Sequence, residues 1–210
     1  GAPDAQAAAV PDRQAEAEAG LPPLTPLEPL SDDYLELVEK LRATVADRPN
    51  DLQGQMLLAR QESVVGNLQA AYAAQARVLE LKGDTAEATD YIEYANMLIQ
   101  AAGGYVSPKA EEALRDGLDL DPKNGVGRYY WGLMLEQNAR PDLAFRVWQG
   151  LLAQGPADAP WMEPIRGQIK DLAMRAGVDF EMPPEAVPQQ RPSASPNANP
   201  DAAPELRGPS

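Results

Sequence analysis

Helix-ending punctuation in this chain recurs at a fixed interval. Asp121-Pro122 and Gly155-Pro156 each close a helical run, and Pro122 to Pro156 is 34 residues, the period of a tetratricopeptide repeat (TPR). Pro49 to Gly83 is again 34, whereas Gly83 to Pro122 is 39, so the middle unit carries about five extra residues. A repeat of this length is a helix pair that cannot bury its own apolar face and must stack on its neighbours, which leaves few folds open to the chain.

Small and large side chains fall where such stacking needs them. In the last unit Trp131 and Gly132 sit together on a first helix, with Ala144 and Trp148 on the second. Two antiparallel helices approach closely only where small residues remove bulk, and the rings then fill the flanking space. The first unit repeats the pattern with Leu58 and Ala59, then Ala71 and Val78. The middle unit gives Tyr91, Tyr94, Ala95 and Leu98, followed by Ala110, Leu114 and Leu118, at the three-and-four spacing of a helical stripe. Asp84 with Glu87 predicts a helix start, Ser107-Pro108 predicts another, and Gly103-Gly104 predicts the break between them. Leading and trailing helices, about 31–46 and 158–176, would cover the open ends of the stack. The predicted fold is all-α: a TPR solenoid of about three helix pairs with two cap helices, roughly eight helices in all.

Composition sets the boundaries and removes whole classes of function. Of 21 prolines, 6 precede Leu30 and 8 follow Val178, and both ends are poor in branched apolar residues. Segments 1–29 and 179–210 are therefore expected to be a disordered tether and a disordered Pro-rich acidic tail, with the TPR domain at 30–178. The net charge of −14 is spread along the chain without a basic stripe, so nucleic acid and anionic membrane surfaces are disfavoured as ligands. No Cys and no His is present. The usual zinc, haem and thiol sites and the Ser-His or Cys-His nucleophile pairs cannot be built without them, which predicts no metal, no cofactor and no enzyme. The acids Glu111, Glu112, Asp116, Asp119 and Asp121 have ordinary surface spacing. No apolar run approaches 18 residues, so neither a signal peptide nor a membrane span is expected within the sequence.

With the repeats placed, the stretch from Leu98 to Leu120, the A-A-G-G turn at 101–104, Ser107-Pro108, the run W-G-L-M-L-E-Q-N-A-R-P-D-L-A from Trp131 and A-D-A-P-W ending at Trp161 resemble one family in order. They resemble the periplasmic TPR domain of the CcmI/CycH family of bacterial cytochrome c maturation. The resemblance implies a holdase that captures apocytochrome c and presents it to haem-handling and haem-ligation proteins. It also implies a periplasmic location, with tethering to the inner membrane through an N-terminal part that this sequence does not contain. The alternative from another class is a cell-envelope scaffold that docks folded partners.

In a TPR stack the first helices of successive pairs line the inner face. That geometry predicts a peptide groove lined by Met56, Arg60 and Val64, then Ile92, Asn96 and Ile99, then Tyr129, Leu133 and Gln137. Its mixture of apolar, aromatic and amide groups suits an amphipathic helix laid apolar face down. Arg60 and Asn96 could together hold a carboxylate or the last carbonyls of a client helix.

Overall fold

The computed structural model describes residues 30–182; the expected segment 1–29 and the tail beyond 182 lie outside the described residues. Among the described residues there are eight α-helices and no strand. We number them α1 Asp32–Asp47, α2 Leu52–Val64, α3 Leu68–Lys82, α4 Ala88–Ala101, α5 Pro108–Leu120, α6 Gly125–Gln137, α7 Pro141–Gln154 and α8 Met162–Arg175. The tightest partners are α2 with α3, α4 with α5 and α6 with α7, while α1 and α8 close the ends. The fold is a TPR-like solenoid of three helix pairs with two caps.

Short polar residues start most of these helices by satisfying free backbone N–H groups. Ser31, Asp51, Asn67, Ser107 and Asn124 each accept a bond from the backbone three residues on. Pro108 and Pro141 occupy first-turn positions, where no N–H is needed. The start expected at Asp84 falls elsewhere: Asp84 lies in a 3-10 turn, Gly83–Thr85, and α4 begins after Glu87. Glu87 and Asp90 form a capping box at that start, in which the Asp90 carboxylate accepts from Glu87 N at 2.7 Å and also from Lys82 Nζ at 2.7 Å. This 3-10 turn and the turn at 102–107 absorb the extra length of the middle unit. Gly103 and Gly104 have φ of +62° and +94°, which a side chain would resist.

Three apolar clusters follow one another along the stack. The first pair contributes Ala59, Ala71 and Ala74, with Met97 of α4 inserted from the next pair and Leu58 packed alongside. Around the middle pair, Ile92, Tyr94, Ala95, Ile99, Ala110 and Leu114 are buried together with Met134, and Trp131 packs against them. At the far end Ala144, Phe145, Trp148 and Leu151 meet Ile165, Ile169 and Leu172 of α8. Ala59, Ala95 and Gly132 occupy one equivalent place in the three first helices: both alanines are fully buried, and an added Cβ at Gly132 would stand 2.2 Å from Trp148 Nε1. Packing continues past the expected boundary at 178: Phe180 sets its ring edge-on against Phe145 at 5.3 Å, and Met182 joins the same cluster.

Candidate functional site

The candidate inner face is the side that α2, α4 and α6 turn away from Ala59, Ala95 and Gly132, and those small residues fix its phase. Counting from Ala59, Ala95 and Gly132, the outward positions on α2 are Leu57, Arg60 and Val64; on α4 they are Glu93, Asn96 and Gln100; on α6 they are Tyr130, Leu133 and Gln137. Arg60, Val64, Leu57, Glu93 and Gln100 are exposed, while Asn96, Tyr130, Leu133 and Gln137 are half-buried. Leu57 and Val64 are 47% and 50% exposed, one apolar strip two turns long.

Of the nine expected groove residues, four fall outside these positions: Met56, Ile92, Ile99 and Tyr129. Ile92 and Ile99 are 4% and 2% exposed and belong to the middle cluster. The physical reason is visible at Gly117 and Gly127, where an added Cβ would stand 2.7 Å from Ile92 Cδ1. Those two glycines make the hole that Ile92 fills, so the branched apolar stripe of α4 faces the core and its polar stripe faces out. Met56, equivalent to Ile92, is half-buried at the edge of the face. Tyr129, the third member of that register, lies stacked on Trp148 with centroids 5.8 Å apart and planes at 14°. Trp148 in turn donates its indole N–H to Tyr129 O at 3.1 Å.

The remaining polar groups form a chain from pair to pair. Tyr130 donates its hydroxyl to Asn96 Oδ1, and Gln100 Nε2 donates to the same oxygen at 2.9 Å. Burial pushes the Tyr130 hydroxyl up to about 12, so at neutral pH it is a neutral donor fixed on Asn96. With its oxygen doubly occupied, the Asn96 amide keeps two N–H donors that have no partner among the described residues. Arg60 likewise has no ion pair among them. Arg60 and Asn96 thus stand at equivalent places on neighbouring first helices with donors to offer.

Gln137 serves the scaffold. Its Oε1 accepts from Val106 N at 2.9 Å and its Nε2 donates to Gly104 O at 2.9 Å, pinning the lengthened turn of the middle pair to α6. Leu133 packs against both the middle and the far clusters. Gln137→Leu is expected to cost about 1–3 kcal/mol, because it orphans the buried Val106 N–H, and to speed hydrogen exchange at that amide. Unchanged exchange there would show that the clamp carries no weight.

Leu57, Glu93, Gln100 and Tyr130 lie outside the expected groove set. The signal for them is the register of the alanine and glycine positions two or more residues away. Among the described residues no group of three or more His, Cys, Asp or Glu side chains converges as a metal site would require, and no helix is long and apolar enough to cross a membrane.

No protein-family profile and no solved structure matches the chain. Two curated proteins do. The chain is 34% identical over 158 residues to the cytochrome c-type biogenesis protein CycH of Rhizobium meliloti (strain 1021), covering 72% of this chain and 41% of that protein. It is 28% identical over 133 residues to the cytochrome c-type biogenesis protein CycH of Bradyrhizobium diazoefficiens, covering 63% of this chain and 36% of that protein. The chain spans less than half the length of these curated relatives. Alignments this long take in more than one helix pair, so the likeness is not that of a single shared repeat. By that similarity, and with a fold of three stacked helix pairs between caps, the chain belongs to the CycH family of cytochrome c-type biogenesis proteins.

Proposed function

We propose that this chain is the client-holding module of a cytochrome c maturation protein. It captures apocytochrome c, through a helical segment near the client's C-terminus, and presents it to the haem-ligation proteins. The work is done in the periplasm, with the module tethered to the inner membrane through another part of the full-length protein. The observation that carries the reading is the inner face: an apolar strip, Leu57 and Val64, beside the free donors of Arg60 and Asn96. An amphipathic helix can lay its apolar side on such a strip while its last carbonyls take the guanidinium and amide donors. With no Cys and no His, the module can hold a thiol-bearing client without exchanging disulfides or competing for haem.

Calorimetric titration with a peptide from the C-terminal helix of an apocytochrome c tests this. Leu57→Asp with Val64→Asp, both at exposed positions, is expected to weaken binding about ten-fold or more while leaving helix content unchanged. Equal binding by unrelated amphipathic helices, or no effect of the double substitution, would remove the reading. Capture of folded envelope proteins instead of apocytochromes would favour a docking scaffold.

A further inference from the structure

A second concavity lies away from the inner face, where the middle and far pairs meet. It is an open cleft of about 440 Å³, to which α5 contributes Arg115, Leu118 and Asp119 and α6 contributes Arg128 and Trp131. Pro122 and Val147 complete its apolar walls. On α6, Trp131 and Leu133 project roughly 200° apart, so the cleft and the inner face open in different directions.

Arg128 is the unusual group here. It is half-buried, and its guanidinium lies so closely over α7 that an added Cβ at Gly150 would stand 2.8 Å from Nη2. Neither a hydrogen bond nor an ion pair engages it among the described residues. The other half-buried cations are all held: Arg42 by Glu62, Arg77 by Glu80, Lys82 by Asp90 and Arg166 by Glu163. A half-buried arginine without an anion partner stands out in a chain whose net charge is −14. Arg115 is tied to Glu111 at 2.8 Å, and Asp119 is the lining carboxylate, so the cleft holds two guanidiniums against one acid.

We propose that this cleft is a second docking site, which takes a short acidic segment of a partner polypeptide that carries a large apolar side chain beside a Glu or Asp. The acidic side chain pairs with Arg128 through charge-assisted bonds, and the apolar side chain lies on Trp131 between Leu118, Pro122 and Val147. The charge match selects the occupant: a neutral or basic segment leaves Arg128 unpaired, and a purely acidic one leaves the indole uncovered. A cleft of this volume admits one or two side chains rather than a whole helix.

The test is NMR of the indole N–H groups in the full chain, which has three tryptophans, with the Trp131 signal assigned by Trp131→Phe. The probe is the peptide acetyl-Gly-Glu-Phe-Gly-amide. It is expected to shift the Trp131 signal and to bind about ten-fold more tightly than its Gln counterpart. Arg128→Gln should erase that difference. Gly150→Ala should reduce it by displacing the guanidinium while keeping the charge. Leu57→Asp with Val64→Asp should leave it intact, which separates this site from the inner face. The proposal is overturned by no shift of Trp131 up to about 5 mM probe, by equal binding of the Glu and Gln peptides, by tighter binding of the free acid acetyl-Gly-Phe, or by displacement of the probe by a peptide of this chain's own residues 183–210.

Discussion

Gly132→Ala is expected to lower the stability of the chain by about 2–3 kcal/mol, although alanine is the better helix former. At an open helical site the same change gains roughly 0.5–1 kcal/mol. At Gly132 an added Cβ would stand 2.2 Å from Trp148 Nε1 and 2.5 Å from its Cδ1. The ring cannot withdraw: it is fully buried, its N–H is bonded to Tyr129 O, and its face is stacked on the Tyr129 ring. Either α6 and α7 move apart, opening the far cluster, or the indole leaves its rotamer and loses its bond. Gly167 supplies the control, since it lies within α8 with nothing inside 4 Å of an added Cβ. Gly167→Ala should raise the urea midpoint while Gly132→Ala lowers it. A neutral or stabilising Gly132→Ala would mean that the close approach of α6 and α7 is not what this glycine is for.

That contrast also explains what could be read from the residues in order. Gly132 and Ala144 announce themselves because the demand on them is local and repeated: each pair needs a small residue where its helices touch. Ser107-Pro108 and Gly103-Gly104 announce a helix start and a turn for the same reason, since backbone satisfaction and φ are decided within a few residues. The inner face is harder. The expected positions, one turn from the packing stripe, include Val64 on α2, which is exposed, and Ile92 and Ile99 on α4, which are buried. The middle pair is covered on both sides, so its apolar stripe goes inward and the stripe left outside is Glu93, Asn96 and Gln100. Only the glycines at 117 and 127, far along the chain, reveal which way Ile92 points. Phe180 was hidden differently: one aromatic residue amid prolines and acids has no periodicity, and its place against Phe145 is set by tertiary contact alone.

Buried ion pairs are the extreme of this, because nothing local distinguishes Glu62 from the other acids of an acidic chain. Glu62 is 1% exposed on α2, and Arg42 of α1 grips it with Nε at 2.6 Å and Nη2 at 2.8 Å, while its third nitrogen reaches Glu39 at 2.9 Å. Arg42→Met is expected to cost about 2–3 kcal/mol at neutral pH, less than for a fully enclosed pair because water reaches the guanidinium side. Most of that loss comes from stranding the carboxylate, so the double change Arg42→Met with Glu62→Met should recover the greater part of it. The pH dependence separates this account from a simple loss of packing. In the native chain the hydrogen bonds from Arg42 hold the Glu62 carboxyl below the usual carboxylate range. The pair therefore adds stability above the unfolded value of about 4.3, and that contribution fades as pH falls through the lower folded value. In Arg42→Met the same carboxyl, now buried without a cation, shifts the other way and takes up its proton more readily in the folded state. The gap between native and variant should consequently narrow on acidification, as the native pair weakens and the stranded carboxyl neutralises. Urea titrations of both proteins at about pH 7 and about pH 4 measure it, and a gap that stays constant would assign the effect to the lost arginine stem rather than to charge.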